Sequence, residues 1–331
     1  EIRQYNFNAD SIVPVREIEK HTGKLPKVGA SVKGSNTFDF SKINSIEDLL
    51  EQIKTQPISE ERQHLVEVAK FLSQYDLNSL QQDAVVIEDL NAKGRLTSRK
   101  LAISREYVES QDTTNDEIAD VAIHELMHAF TVKDLDKYYQ TNPETGEYEL
   151  KTTEGVPSHV LELHLVYSEY LKKGNYDRKA LELFKENYKI IKKDNQERMA
   201  GVPRTQDSNL VNQANMNIAS LKSMEQAEFL KIYAAYNIKE FVAIALQDKN
   251  FLMSMNNIEY KSSNKSLKDK FVFALVKMFK QMFEGLSEDS LAQAAITKTL
   301  NFISSERSLK SENKSVSSQS TSPSKTSTPA V

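Results

Sequence analysis

The residues that could do chemistry stand together in Ile123-His124-Glu125-Leu126-Met127-His128-Ala129. Residues four apart on a helix share one face, one turn above the other. His124 and His128 can therefore offer two imidazole nitrogens to a single ion. Glu125 lies about a hundred degrees further round the helix, at the rim of such a site. Two neutral imidazoles beside a carboxylate suit a hydrolytic metal centre. The histidines ligate, and the carboxylate handles the proton of a water that the ion acidifies.

That chemistry needs a helix under the histidines, and the sequence supplies one. Thr113 or Thr114 can cap it, and Asp116 and Glu117 fill its first turn, where carboxylates suit the helix dipole. Ile118, Val121, Ala122, Leu126 and Ala129 form an apolar stripe. Ahead of it, Ala84-Val85-Val86-Ile87 is a β-branched run, Asn91-Ala92-Lys93-Gly94 is turn chemistry, and residues 95–106 alternate loosely. These features predict a hairpin before the motif helix. Its strand at 101–104 is a candidate to hold an extended substrate through backbone hydrogen bonds, although an ordinary sheet strand reads the same way.

Further helices are predicted over 43–53, with Ser45 as N-cap and Asp48 three residues on, and over 60–75 behind Ser59. Others are predicted over 160–172, 176–194, 215–236, 238–246, 267–283 and 291–303. His64, alone on an amphipathic helix, reads as a surface or boundary residue with no role. Residues 131–155 are polar and punctuated by Asn142-Pro143 and Gly146, and read as a loop or surface hairpin. Residues 1–40 read as an extended arm with a short helix near 15–21, and residues 306–331, rich in Ser, Thr and Lys, as a disordered tail. The fold class expected is α+β, mainly helical, with a small sheet before the motif helix. One domain is expected over 41–305, carrying a helical insert at about 131–215.

Composition narrows the chemistry. The chain has 331 residues, enough for a sizeable core, and no cysteine. Thiolate zinc fingers, disulfide frameworks and cysteine nucleophiles are thereby excluded, and a zinc site must use His and Asp/Glu. With 43 basic and 47 acidic residues the net charge is −4, which gives no global drive towards nucleic acid or anionic membrane. No apolar run reaches the roughly 18 residues of a membrane span. The opening Glu1-Ile2-Arg3-Gln4 has neither a signal-type apolar segment nor an initiator methionine, which fits a processed product or a piece of a longer polypeptide.

A catalytic zinc site wants a third protein ligand. His159, His164, an acidic residue of the 131–155 loop and Glu240 are the options. The metzincin extension would put Gly at 131 and His at 134. Thr131 and Asp134 exclude it. Glu240 also fits a plain capping box, Asn237-x-x-Glu240.

The H-E-x-x-H stretch together with Tyr233-Ala-Ala-Tyr236-Asn237-Ile238-Lys239-Glu240-Phe241-Val242-Ala243-Ile244-Ala245-Leu246 resembles the glutamate-type zincin (gluzincin) metallopeptidases. It is most similar to the anthrax lethal factor peptidase domain and to zincin peptidases of phage and mobile-element polyproteins. The likeness covers roughly residues 85–130 and 225–285. It implies Zn2+ held by His124, His128 and Glu240, with Glu125 as general base. It also implies Tyr233, seven residues before the ligand glutamate, as the phenol facing the scissile carbonyl, with Tyr236 as competitor. The chain departs from the pattern at Ile244, where a second glutamate often stands.

The expected function is zinc-dependent hydrolysis of a protein or peptide substrate. The alternative is a non-catalytic zincin-fold module of a larger assembly. The phage likeness implies a virion-associated or host-cytoplasmic setting, and a secreted effector that cleaves a host protein is a third reading.

Overall fold

Residues 37–80, 84–88, 93–96, 100–110, 112–142, 147–203, 205, 207–260, 276–277, 283 and 286–307 are described by the structure, a computed structural model. The first helix starts where Ser45 and Asp48 satisfy each other's backbone N–H groups in a reciprocal capping box, and α1 runs Ile46–Thr55. Its Leu49, Leu50 and Ile53 are buried, and the helix packs on α2, Gln63–Leu72. Ser59 does not cap α2 with its side chain. A 3-10 turn, Glu60–Arg62, comes first, and the Ser59 backbone N–H donates to Asp116 instead.

β1 (Ala84–Glu88), β2 (Gly94–Leu96) and β3 (Lys100–Ser104) form one sheet in the order β1-β3-β2. β3 runs parallel to β1, with Val86 opposite Ala102, and antiparallel to β2, with Arg95 opposite Ala102. The expected hairpin is thus corrected: the tight antiparallel pair is β2–β3, and β1 joins from the other side. Burial explains it. Leu101, Ala102 and Ile103 have no exposed surface, and such a run belongs in a central strand. Both edges of β3 are taken, so residues 101–104 cannot receive a substrate by edge addition.

After a short α3, Arg105–Glu109, a reciprocal capping box between Thr114 and Glu117 starts α4, Asn115–Tyr138. This is the motif helix, and it runs two turns into the segment expected as a loop. The polar residues there are paired. Thr131 donates its hydroxyl to the Met127 carbonyl at 2.6 Å, and Asp134 takes Lys137 at 2.8 Å and the Arg307 guanidinium. The expected surface hairpin follows, as β4 (Tyr139–Thr141) and β5 (Tyr148–Leu150).

α5 (Ser158–Lys173) and α6 (Arg178–Ala200) come next. Gly201, at φ +65°, closes α6 in the left-handed conformation that favours glycine at a helix C-terminus. The single helix expected over 215–236 is two, α7 (Ser208–Lys222) and α8 (Gln226–Tyr236). α9 (Ile238–Gln247), α10 (Lys249–Ser254) and α11 (Leu291–Glu306) complete the described elements.

α9 is the buried axis. Every residue from Ile238 to Leu246 is buried, and the helix packs on α4, α8 and α11. The segment expected as an insert joins this core. Tyr167 donates its hydroxyl to the Ala235 carbonyl at 3.0 Å, and Tyr170 donates to that of Lys231 at 2.7 Å. The boundaries shift too. Phe38 is buried, and so is Arg307, which donates to the Phe130 carbonyl through Nε and Nη2 at 3.1 and 2.9 Å. The fold therefore includes residues 37–40 of the expected arm and the first two residues of the expected tail. The rest of both, the short helix at 15–21 and most of 267–283 lie outside the described residues. The architecture is α+β and mainly helical. No described helix is long and apolar enough to cross a membrane.

Candidate metal centre

α4 and α9 build the site between them. Spacing of four on α4 stacks His124 over His128, with ring centroids 4.7 Å apart. On α9, Asn237 caps the helix by accepting from the backbone N–H groups of Lys239 and Glu240 at 2.8 and 3.1 Å. The Glu240 carboxylate turns to the histidines. Its Oε2 lies 3.2 Å from His128 Nε2 and 3.4 Å from His124 Nε2, and the two Nε2 atoms are 3.1 Å apart.

This triangle has the size of one face of a zinc tetrahedron. Zinc–nitrogen and zinc–oxygen bonds of about 2.0–2.1 Å put neighbouring ligand atoms about 3.3 Å apart. Glu240 Oε2 is buried, and neither contact to the imidazoles has hydrogen-bond geometry. A buried carboxylate oxygen in that position fits a cation as its partner. Among the described residues, His124, His128 and Glu240 are the one group of His, Asp or Glu side chains placed to hold an ion.

Protonation follows from the same contacts. Burial pushes His124 down, but the Glu240 carboxylate, aided by Glu125 and Gln247, raises it to about 9. Burial lowers His128, with Glu240 only partly opposing it. Burial would raise Glu240, yet His128 and His124 together hold it well below the usual carboxylate range. In the metal-free centre Glu240 therefore favours the charged form of His124, while burial favours the neutral form of His128. Glu125, also buried at 6 % exposure, directly follows His124.

Tyr233 of α8 lies with its ring 6.4 Å from that of His124 and within 18° of parallel. Tyr236 instead packs edge-on to Phe184 and Tyr188, at 5.2 and 5.1 Å. Of the two tyrosines that sequence left in competition, Tyr233 is thus the one whose ring stacks on a histidine of the centre. The other candidate ligands are engaged elsewhere: His159 Nε2 with Glu306 at 2.8 Å, and His164 Nδ1 with the Tyr139 hydroxyl at 2.9 Å. Ile244 is fully buried on α9.

Sequence reasoning missed three residues around the centre. Gln247, seven residues beyond Glu240, accepts from His124 Nδ1 through its Oε1 at 2.9 Å. Its signal was that spacing, two turns along one helix face. Asp120, one turn before His124, lies 3.3 Å from Arg62 and is pushed by burial to about 7. His64 is buried, not peripheral, at 1 % exposure, and its Nε2 donates to the Gln247 backbone carbonyl at 2.7 Å. Nothing in the sequence marked it, because α2 is apolar over most of its circumference.

Burial lowers His64 to about 4, with the hydrogen bond to the Gln247 carbonyl and the charge of Asp248 opposing it and nearby Arg62 adding to it. A group whose folded pKa lies below its unfolded 6.5 stabilises the fold fully above pH 6.5 and loses that contribution as pH falls towards 4. His64→Gln is therefore expected to flatten the fall in stability over that window by about 3 kcal/mol. Urea unfolding at stepped pH measures it. An unchanged slope would place the titration elsewhere.

No protein-family model matches the chain, nor does any curated protein or solved structure.

Proposed function

We propose that the chain is a zinc-dependent endopeptidase. The observation that carries this reading is the triangle of His124 Nε2, His128 Nε2 and Glu240 Oε2, with edges of 3.1–3.4 Å, together with the buried Glu125, whose charge acts on His124. Zinc bound there supplies Lewis acidity, which acidifies water and polarises a carbonyl. His124, His128 and Glu240 hold the ion. Glu125 accepts the proton of the attacking water at its carboxylate and passes it to the leaving amine. Tyr233 donates its phenolic hydrogen to the oxyanion that develops on the substrate carbonyl. An extended substrate runs along β2, the edge strand that packs on α4.

Metal analysis of the purified protein and cleavage of a peptide library test the proposal. Near-stoichiometric zinc, with cleavage that a chelator abolishes and zinc restores, supports it. Protein that takes up no zinc sinks it. Zinc without cleavage favours the non-catalytic reading, the side on which Ile244 stands. The tyrosines give a finer test. Tyr233→Phe is expected to lower kcat/KM about 10²-fold at unchanged zinc content, whereas Tyr236→Phe stays close to wild type. The opposite ranking would move the donor to Tyr236.

A further inference from the structure

We infer that Gln247, fixed from behind by the buried His64, is the positioning residue that holds His124 in its metal-binding tautomer. The inference rests on the zinc reading of the centre. It assigns roles to Gln247, which the matched motif ending at Leu246 does not include, and to His64, which lies outside both stretches of likeness.

The argument starts from the imidazole. A neutral ring has one N–H and one lone pair, and the partner of one nitrogen decides which nitrogen can ligate. Gln247 Oε1 lies 2.9 Å from His124 Nδ1. An amide oxygen can only accept, so Nδ1 carries the hydrogen. The lone pair of the neutral ring is then on Nε2, the atom 3.4 Å from Glu240 Oε2 and 3.1 Å from His128 Nε2. Had the amide been absent, both tautomers would compete, and one of them would turn an N–H towards the ion.

A glutamine can impose a tautomer only if it is itself held. Gln247 is the last residue of α9, where helices fray. Here the end is pinned on both sides of the residue. His64 Nε2, from α2, donates to the Gln247 backbone carbonyl at 2.7 Å. The next residue, Asp248, donates its N–H to the Ile244 carbonyl at 2.9 Å and accepts from Phe251 N–H at 2.6 Å, starting α10. Arg62 Nη1 stands 3.7 Å from the other Asp248 oxygen. His64 is buried and stays neutral above about pH 4, so its donated hydrogen bond does not change across the range in which zinc would bind. The arrangement ties α2, outside the stretches of likeness, to the first metal ligand through one residue.

Chelator competition with zinc, together with the visible spectrum of the cobalt(II)-loaded protein, tests this without using activity. Gln247→Leu removes the acceptor and keeps the backbone carbonyl. It is expected to weaken zinc binding about 10–100-fold, the usual effect of losing such a support, and to alter the cobalt bands. The metal-free protein should keep its helicity, with a melting temperature lowered by the lost buried hydrogen bond, so the spectrum and affinity of folded protein carry the test. Gln247→Glu restores an acceptor and should bind at least as tightly as wild type. His64→Leu should weaken binding by a smaller factor, and His64→Gln, which keeps a donor, should recover most of it. Wild-type binding together with an unchanged Gln247→Leu affinity and spectrum overturns this inference alone. Wild-type protein that binds neither ion overturns the zinc reading and the inference with it.

Discussion

Glu125→Gln is expected to abolish peptide hydrolysis while zinc stays bound at its wild-type stoichiometry. The substitution is nearly isosteric, and it falls at a buried position next to His124, on none of the three side chains placed to hold an ion, His124, His128 and Glu240. What it removes is a base. An amide cannot accept the proton of the attacking water, and losing a general base typically costs 10²–10⁴-fold in rate, or about 3–5 kcal/mol of barrier. One side effect is built in. The Glu125 charge helps to raise His124, so the variant should hold its metal-free proton less tightly and take up zinc slightly more readily at neutral pH. Turnover of a library-selected peptide, measured beside metal content by mass spectrometry, separates the two effects. Cleavage at the wild-type rate would remove Glu125 from the chemistry.

The sequence made α4 legible because every level of its grammar agreed. A threonine cap at 113 or 114, acidic residues in the first turn and histidines four apart all required one helix. α9 was legible by another route. A short helix was expected over 238–246, and only the likeness to gluzincins singled out Glu240 within it. Asn237 read equally as a cap and as the start of a site. The structure shows that it caps with its own side chain while the Glu240 carboxylate faces the histidines.

The failures share a cause, which is pairing over long sequence separation. The charges at Asp134 and Lys137 looked like loop because their partners, Arg307 and Glu306, lie about 170 residues away. β1 looked like a hairpin arm because its parallel pairing with β3 is visible only in space. His64 looked peripheral because Gln247 is 183 residues distant. Local pattern specifies helices and caps, whereas the partner of a charge or a strand edge is a property of the fold.

Glu240→Gln is expected to empty the centre of zinc, and it tests the third ligand, for which the residues alone offered four options. Gln is a poor zinc ligand but fits the same space. Asn237 bonds the backbone N–H groups of positions 239 and 240, not the Glu240 carboxylate, so α9 should keep its start. Loss of metal with unchanged helicity would therefore report ligation. In wild type, zinc at a thousand times its dissociation constant should stabilise the fold by about 4 kcal/mol. The variant should show almost none of that at the same concentration. The metal-free protein gives a second readout. His124 is raised from 6.5 to about 9 chiefly by the Glu240 carboxylate working against burial. A raised folded pKa contributes stability that is fully present below pH 6.5 and is lost as pH climbs through 9. Metal-free wild type should accordingly weaken over that window, and Glu240→Gln should lose the slope, because a buried imidazole without its counter-charge stays neutral. Thermal melts with and without zinc, at pH 6 and pH 9, contain both comparisons. Zinc still bound at full stoichiometry, with the pH slope intact, would return Glu240 to a capping role and leave the two histidines to find their third ligand elsewhere.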